Sequence, residues 1–81
     1  MSEITQSEVI AAIEKALELS PGSLGEDARA GEIDAWDSLG QLSILAALDS
    51  LFDGKIADIR EMAEADSLSK ILSILKQHSL L

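Results

Sequence analysis

Apolar residues recur at helical spacing in separate stretches of this chain, and polar or glycine-containing segments divide the stretches. The first stretch follows Thr5 and Glu8, which have the spacing of a capping box, so a helix is predicted to begin there. Glu14 is expected on the polar, outward face of this helix. Its apolar positions lie three and four residues apart: Val9, Ile10, Ile13, Ala16 and Leu17.

A long segment without helical periodicity comes next. Ser20-Pro21-Gly22 breaks the first helix, and no helical repeat is visible from there to Asp37. A loop of this length in a small domain is usually functional or held in place by packing. We expect three apolar side chains to hold it against the helices: Leu24, Ile33 and Trp36.

The second helix is predicted to begin at Ser38 and to end near Phe52, before the Asp53-Gly54 turn. Its apolar residues cover more than one face, so we expect a central helix that is contacted on several sides. They are Leu39, Leu42, Ile44, Leu45, Ala46, Ala47, Leu48, Leu51 and Phe52.

Two shorter stretches complete the pattern. A short third helix is predicted from about Asp58 to Ala65, with Ile59 and Met62 buried. A last helix follows Asp66-Ser67 and repeats Leu68, Ile71, Leu72 and Leu75. With no strand or repeat visible, the sequence predicts one all-α domain over residues 1–81, a four-helix bundle with a long first connection.

Composition and charge narrow the classes of function. Fifteen acidic and six basic residues give a formal net charge of -9, which disfavours nucleic acid and anionic membranes as partners. There is no cysteine and His78 is the only histidine, so neither a metal site nor a catalytic triad is expected. A calcium loop around Asp53 fails because Leu51 and Arg60 stand where oxygen ligands are needed.

The remaining global features indicate a soluble chain. Residues 1–10 contain no lysine or arginine and do not read as a signal peptide. No apolar run is long enough to span a membrane. We therefore expect a monomeric cytoplasmic protein without intrinsic enzymatic activity.

The passage most informative about chemistry is Trp36-Asp37-Ser38-Leu39-Gly40-Gln41-Leu42. Ser38 stands where the loop becomes the second helix, and its hydroxyl can cap that helix, with Gln41 completing a capping box. On periodicity alone, a cap that contributes about 1 kcal/mol is a sufficient explanation of the serine. Asp37 is then a solvated loop acid or an alternative cap.

Asp37-Ser38-Leu39 at this position resembles the modification motif of acyl carrier proteins. The similarity covers most of the chain, from the broken first helix and long loop to the Ala47–Phe52 stretch and the final capped helix. It implies that Ser38 carries 4'-phosphopantetheine, transferred from coenzyme A by a phosphopantetheinyl transferase, with Asp37 and Leu39 beside it. It further implies a carrier whose acyl groups travel as thioesters between acyl- or aminoacyl-activating and -transferring enzymes.

The resemblance also implies two surfaces. The partner-binding candidates are Asp37, Leu39, Gly40, Ser43 and Asp49. The candidates for an acyl cleft, for which ordinary core packing is the alternative, are Leu42, Leu45, Ala46, Ile59 and Met62.

The acidic residues of the second helix bear on the pathway. Carriers of fatty acid synthesis usually show several acids along this helix, whereas Gly40–Phe52 contains only Asp49, which favours a specialised pathway. Two alternatives stay open. One is an aminoacyl or peptidyl carrier, although the Gly-Gly-His/Asp-Ser pattern is absent, and the other is an unmodified helical interaction module in which Ser38 only caps.

Overall fold

The computed structural model describes residues 4–81. In this part of the chain three α-helices occur: α1 (Gln6–Ala16), α2 (Ser38–Leu51) and α3 (Leu68–Gln77). Two short 3₁₀ helices, Ile56–Asp58 and Arg60–Glu64, lie between α2 and α3 and are together called the 3₁₀ segment. The prediction of an all-helical fold is confirmed. Residues 1–3 lie outside the described residues. They are part of the segment 1–10 that was considered as a possible signal peptide.

Each helix buries part of the apolar set that its periodicity predicts. α1 begins with the predicted capping box, in which Thr5 Oγ1 accepts from the Glu8 backbone N–H at 3.2 Å. α2 lies between α1 and the 3₁₀ segment, and α3 packs against the second 3₁₀ helix. The fully buried side chains include Val9, Ile13, Ile44, Leu48, Met62, Leu68, Ile71 and Leu75. None of the helices in the described part of the chain is both long and apolar enough to cross a membrane.

Glu14 does not lie on an outward face as expected. Only 5% of it is exposed, because its carboxylate Oε2 accepts a hydrogen bond from the Leu24 backbone N–H at 2.9 Å. A buried carboxylate requires such a donor. The loop supplies it ten residues further on, which periodicity within α1 cannot reveal.

The third helix predicted from about Asp58 to Ala65 is replaced by the 3₁₀ segment. Its buried residues are spaced strictly by three: Ile56, Ile59, Met62 and Ala65. Three residues per turn is the period of a 3₁₀ helix, and each of the last three residues donates its backbone N–H to the carbonyl three positions earlier. Ile59 is extended, with φ -99° and ψ 98°, so no continuous α-helix passes through it.

The long loop is held by packing and by hydrogen bonds. Leu24 and Trp36 are buried and Ile33 is partly buried against the core, as predicted. The loop also pairs with the chain that enters α3, in an isolated bridge of Arg29 with Ser67. The backbone hydrogen bonds that flank this bridge measure 2.8 and 2.9 Å. The middle of the loop is therefore fixed against the chain that enters α3, and Ile33 and Trp36 hold its last part against the core.

Candidate functional site

The start of α2 is organised by Asp37 rather than by Ser38. Asp37 has extended backbone angles, and its Oδ1 accepts from the Gly40 N–H at 2.8 Å, which makes it the N-cap. The alternative in which the Ser38 hydroxyl caps α2, with Gln41 completing a capping box, is wrong, whereas the alternative of Asp37 as the cap is confirmed. A carboxylate at this position also interacts favourably with the positive end of the helix dipole.

Ser38 is the first helical residue and is exposed. Within the described residues no hydrogen bond engages its hydroxyl. Because Asp37 already caps the helix, the Ser38 oxygen is free for other chemistry. The explanation of Ser38 as a simple cap therefore no longer accounts for it.

Gly40 lies under the end of the loop and is buried. A Cβ built on Gly40 would overlap the carbonyl oxygen of Ala35 and approach Leu17 Cδ2 to 3.0 Å. Only glycine permits this close approach of two backbones. Gly40 therefore seats the loop on the first turn of α2 and offers no side chain to a partner, although the sequence made it a candidate for the recognition surface.

The side chain of Gln41 joins three parts of the fold. Its Oε1 accepts from the indole Nε1–H of Trp36 at 2.6 Å. Its Nε2 donates to the carbonyls of Ala65 at 3.0 Å, Met62 at 3.3 Å and Ala63 at 3.4 Å. We call this set of contacts the Gln41 bridge. Sequence reasoning gave Gln41 only a local role, because these partners lie more than twenty residues away or on the loop side.

An open groove of about 640 Å³ begins beside Ser38 and runs between α2 and the 3₁₀ segment. Leu42, Leu45 and Ala63 give it an apolar wall, and Asp37 and Glu64 also line it. We call it the Ser38 groove. A second groove of about 310 Å³ shares Leu45 and Ala63 with it and continues along α2.

Four of the five cleft candidates line these grooves. Leu42 and Leu45 line the Ser38 groove, whereas Ala46 and Ile59 line the second groove. Met62 is fully buried and lies in the core beneath them. The structure thus brings these four candidates to one side of α2, along grooves that open to solvent, and leaves Met62 in the core.

The outward face of α2 carries two large apolar side chains besides exposed serines. Leu39 is 74% exposed and Leu42 is 63% exposed, although α2 is contacted on several sides as expected, by α1 and by the 3₁₀ segment. Ser43 is exposed, in a separate hollow between α1 and α2. Asp49 is partly buried, and its Oδ1 accepts from the Ala57 N–H at 3.0 Å, so it ties α2 to the 3₁₀ segment.

One charged group that lines the Ser38 groove, Asp66, has a partner of opposite charge. The ammonium group of Lys70 lies 2.9 Å from Asp66 Oδ1 and lowers the pKa of Asp66 by its hydrogen bond and its charge. His78 Nε2 lies 3.5 Å from Glu61 Oε1, a partner that the sequence did not indicate. In residues 4–81 no group of three or more potential metal ligands is present.

The phosphopantetheine arm that the resemblance implies would need an exposed oxygen on the chain and space beside it. The Ser38 oxygen is exposed at the positive end of a fourteen-residue helix, where a phosphodiester is favoured. The Ser38 groove beside it offers an apolar wall to the group at the end of the arm. Comparison of the chain with protein-family models, with curated proteins and with solved structures gives no match.

Proposed function

We propose that this protein is an acyl carrier that bears 4'-phosphopantetheine on Ser38 and presents thioesters to partner enzymes. The observation that carries the proposal is the Ser38 hydroxyl, which is exposed, relieved of capping by Asp37 and placed at the rim of an apolar groove. The resemblance of Asp37-Ser38-Leu39 to the carrier motif supports the same assignment. In this proposal the 3₁₀ segment takes the place of the third helix of a four-helix carrier bundle.

The attachment chemistry is transfer of a phosphoryl group to Ser38. The Ser38 oxygen forms a bond to the β-phosphorus of coenzyme A, and the bond from that phosphorus to the adenosine 3',5'-bisphosphate leaving group breaks. The hydroxyl proton passes to a base of the phosphopantetheinyl transferase. Once attached, the arm supplies a thiol that forms thioesters and holds them near the carrier at high effective concentration.

Partner enzymes recognise the outward face of α2 in this proposal, through apolar contact more than through charge. Leu39 and Leu42 dominate that face, and Asp49 is already bonded to Ala57. Weak electrostatic steering sets such a carrier apart from those of bulk fatty acid synthesis. We therefore propose a cytoplasmic monomer that serves a specialised pathway, with acyl- or aminoacyl-activating and -transferring enzymes as partners.

Intact mass spectrometry tests this function. The folded chain is incubated with coenzyme A and a phosphopantetheinyl transferase of broad specificity, and its mass is expected to rise by one arm. Ser38→Ala is expected to remain unmodified, whereas Ser43→Ala, an equally exposed serine of α2 in the separate hollow beside α1, is expected to gain one arm. A wild-type chain that stays unmodified would contradict the proposal.

The exposed Leu39 and Leu42 also favour a second candidate, an unmodified module that binds another protein through α2. The loading experiment separates the two functions. A module of this kind needs no arm, so its Ser38 would stay bare, and Leu42→Ser would abolish binding to its partner. One arm on Ser38 would exclude it as the main function.

A further inference from the structure

The Gln41 bridge lies at the boundary between α2 and the 3₁₀ segment, next to Ser38. An amide NH₂ offers two donors, and here they face three backbone carbonyls, of which Ala65 O is nearest at 3.0 Å. The amide oxygen faces the indole N–H of Trp36 at 2.6 Å. Both ends of the amide are thus engaged, and the engaged atoms belong to three different segments.

The side chains at and behind the bridge are buried. Trp36 is 2% exposed, and Ile44 and Met62 are 0% exposed. The two grooves along this side of α2 open to solvent, and Met62 lines neither of them. A chain that entered from Ser38 towards the core would have to displace the Gln41 amide and strip hydrogen bonds from partly buried carbonyls, which is unfavourable.

We infer that Gln41 closes the interior of this carrier, so that the carried group stays outside, on the open Ser38 groove. The inference rests on the proposed function, since it concerns what the arm on Ser38 holds. Gln41 is a positioning residue in this account, because it acts by joining Trp36 to the 3₁₀ segment and touches no reacting atom.

The closed interior selects the class of cargo. Burial of a long alkyl chain is favourable in free energy, and the free energy gained grows with each methylene group removed from water. An open groove removes only part of such a chain from water. The geometry therefore suits short or polar groups, such as acetyl, hydroxyacyl or aminoacyl groups, which lose little by remaining hydrated.

The test compares how fast thioesters of different length react with hydroxylamine. The wild-type protein is loaded from acetyl-, butyryl- and octanoyl-coenzyme A, and the loss of each acyl group is followed by intact mass. Each rate constant is divided by that of the same acyl group on free coenzyme A. The three ratios are expected to agree within about twofold, and an octanoyl ratio more than about fivefold below the acetyl ratio would overturn the inference.

Substitution of Gln41 tests the role of the bridge itself. In Gln41→Ala the octanoyl ratio is expected to fall about threefold or more while the acetyl ratio stays constant, because the interior becomes accessible. Gln77→Ala, at an exposed position of α3, is expected to retain the wild-type ratios. An octanoyl ratio unchanged in Gln41→Ala would refute the role given to Gln41.

A replacement variant and the loading result separate failure of the fold from failure of the inference. If Gln41→Ala does not fold, as judged by circular dichroism, Gln41→Met replaces it, with similar length and no hydrogen-bonding groups. Failure of the wild type to accept any arm would refute the proposed function. Normal loading followed by protection of octanoyl in the wild type would refute only the closed interior.

Discussion

Replacement of Gln41 by alanine removes four hydrogen bonds at once and is expected to destabilise the fold strongly. Two of the bonds are short, at 2.6 Å from Trp36 Nε1 and 3.0 Å to Ala65 O. Two are long, at 3.3 and 3.4 Å. With about 1 kcal/mol net for each short bond and the long pair counted as one, the loss is about 3 kcal/mol. The better helix propensity of alanine offsets only a few tenths of this, about 0.3 kcal/mol.

The protein should remain folded after this loss. A chain of 81 residues has a free energy of unfolding of roughly 4–12 kcal/mol. The melting temperature of Gln41→Ala should therefore fall by roughly 10–25 °C. Urea unfolding, followed by circular dichroism and by the fluorescence of Trp36, the only tryptophan, measures the change in free energy.

A matched control isolates the bridge from the general effect of losing a glutamine. Gln77 is exposed at the end of α3, and Gln77→Ala should change the free energy of unfolding by less than about 0.5 kcal/mol. A loss below about 1 kcal/mol in Gln41→Ala would show that the four contacts contribute no more than one average hydrogen bond. The bridge could then not be what closes the interior.

Three further predictions concern the same end of the molecule. Gly40→Ala should destabilise by about 1–3 kcal/mol in urea unfolding, because its Cβ meets Ala35 O, although glycine to alanine inside an exposed helix is normally stabilising. Asp37→Ala should lower the free energy of unfolding by about 1 kcal/mol because it removes the cap. Ser38→Ala should lower it by less than about 0.5 kcal/mol. Carboxyl NMR titration should find the pKa of Asp66 below its ordinary value. Its ionised form therefore stabilises the fold at neutral pH, and this contribution disappears as the pH falls through the lowered pKa.

Each of these predictions has its own control and contrary outcome. A Cβ on Gly25 would meet no atom within 4 Å, so Gly25→Ala should leave the stability unchanged or increase it. Equal losses of unfolding free energy in Gly25→Ala and Gly40→Ala would refute the close packing of Gly40. Asp37→Asn keeps a capping side chain and should retain most of the stability, and a larger loss from Ser38→Ala than from Asp37→Ala would reverse the assignment of the cap. In Lys70→Met the pKa of Asp66 should rise, and an unchanged titration would refute the pairing.

The α-helices could be predicted from the sequence because each buries a face whose residues repeat at helical spacing. Val9 and Ile13 in α1, and Leu17 directly after it, are buried as that spacing requires. The 3₁₀ segment carried an equally clear signal, the strict spacing by three from Ile56 to Ala65, but the short run was read as an α-helix. The exposure of Leu39 was implied only by the resemblance, which puts it on a partner-binding surface, because apolar spacing on one helix does not reveal which neighbours exist to cover it.

The sequence predicted the position of the helix cap only to within one residue. Asp37 and Ser38 are both good N-caps, and adjacent positions differ only in backbone angles that the sequence does not contain. The roles of Glu14 and Gln41 depend on partners that the tertiary fold brings close, ten and more than twenty residues away. Local patterns place a motif on an element, whereas the hydrogen bonds that give a polar residue its role come from packing.

The central claim is most directly tested by locating the arm on the chain after loading with coenzyme A and a transferase. Eleven serines are present, so tandem mass spectrometry of the digested protein can distinguish Ser38 from ten other hydroxyls of the same chemistry. The account predicts one phosphopantetheine group, found only on the peptide that contains Ser38 and lost from it as a pantetheine fragment. An unmodified Ser38 peptide, or an arm attached to any other serine, would contradict it.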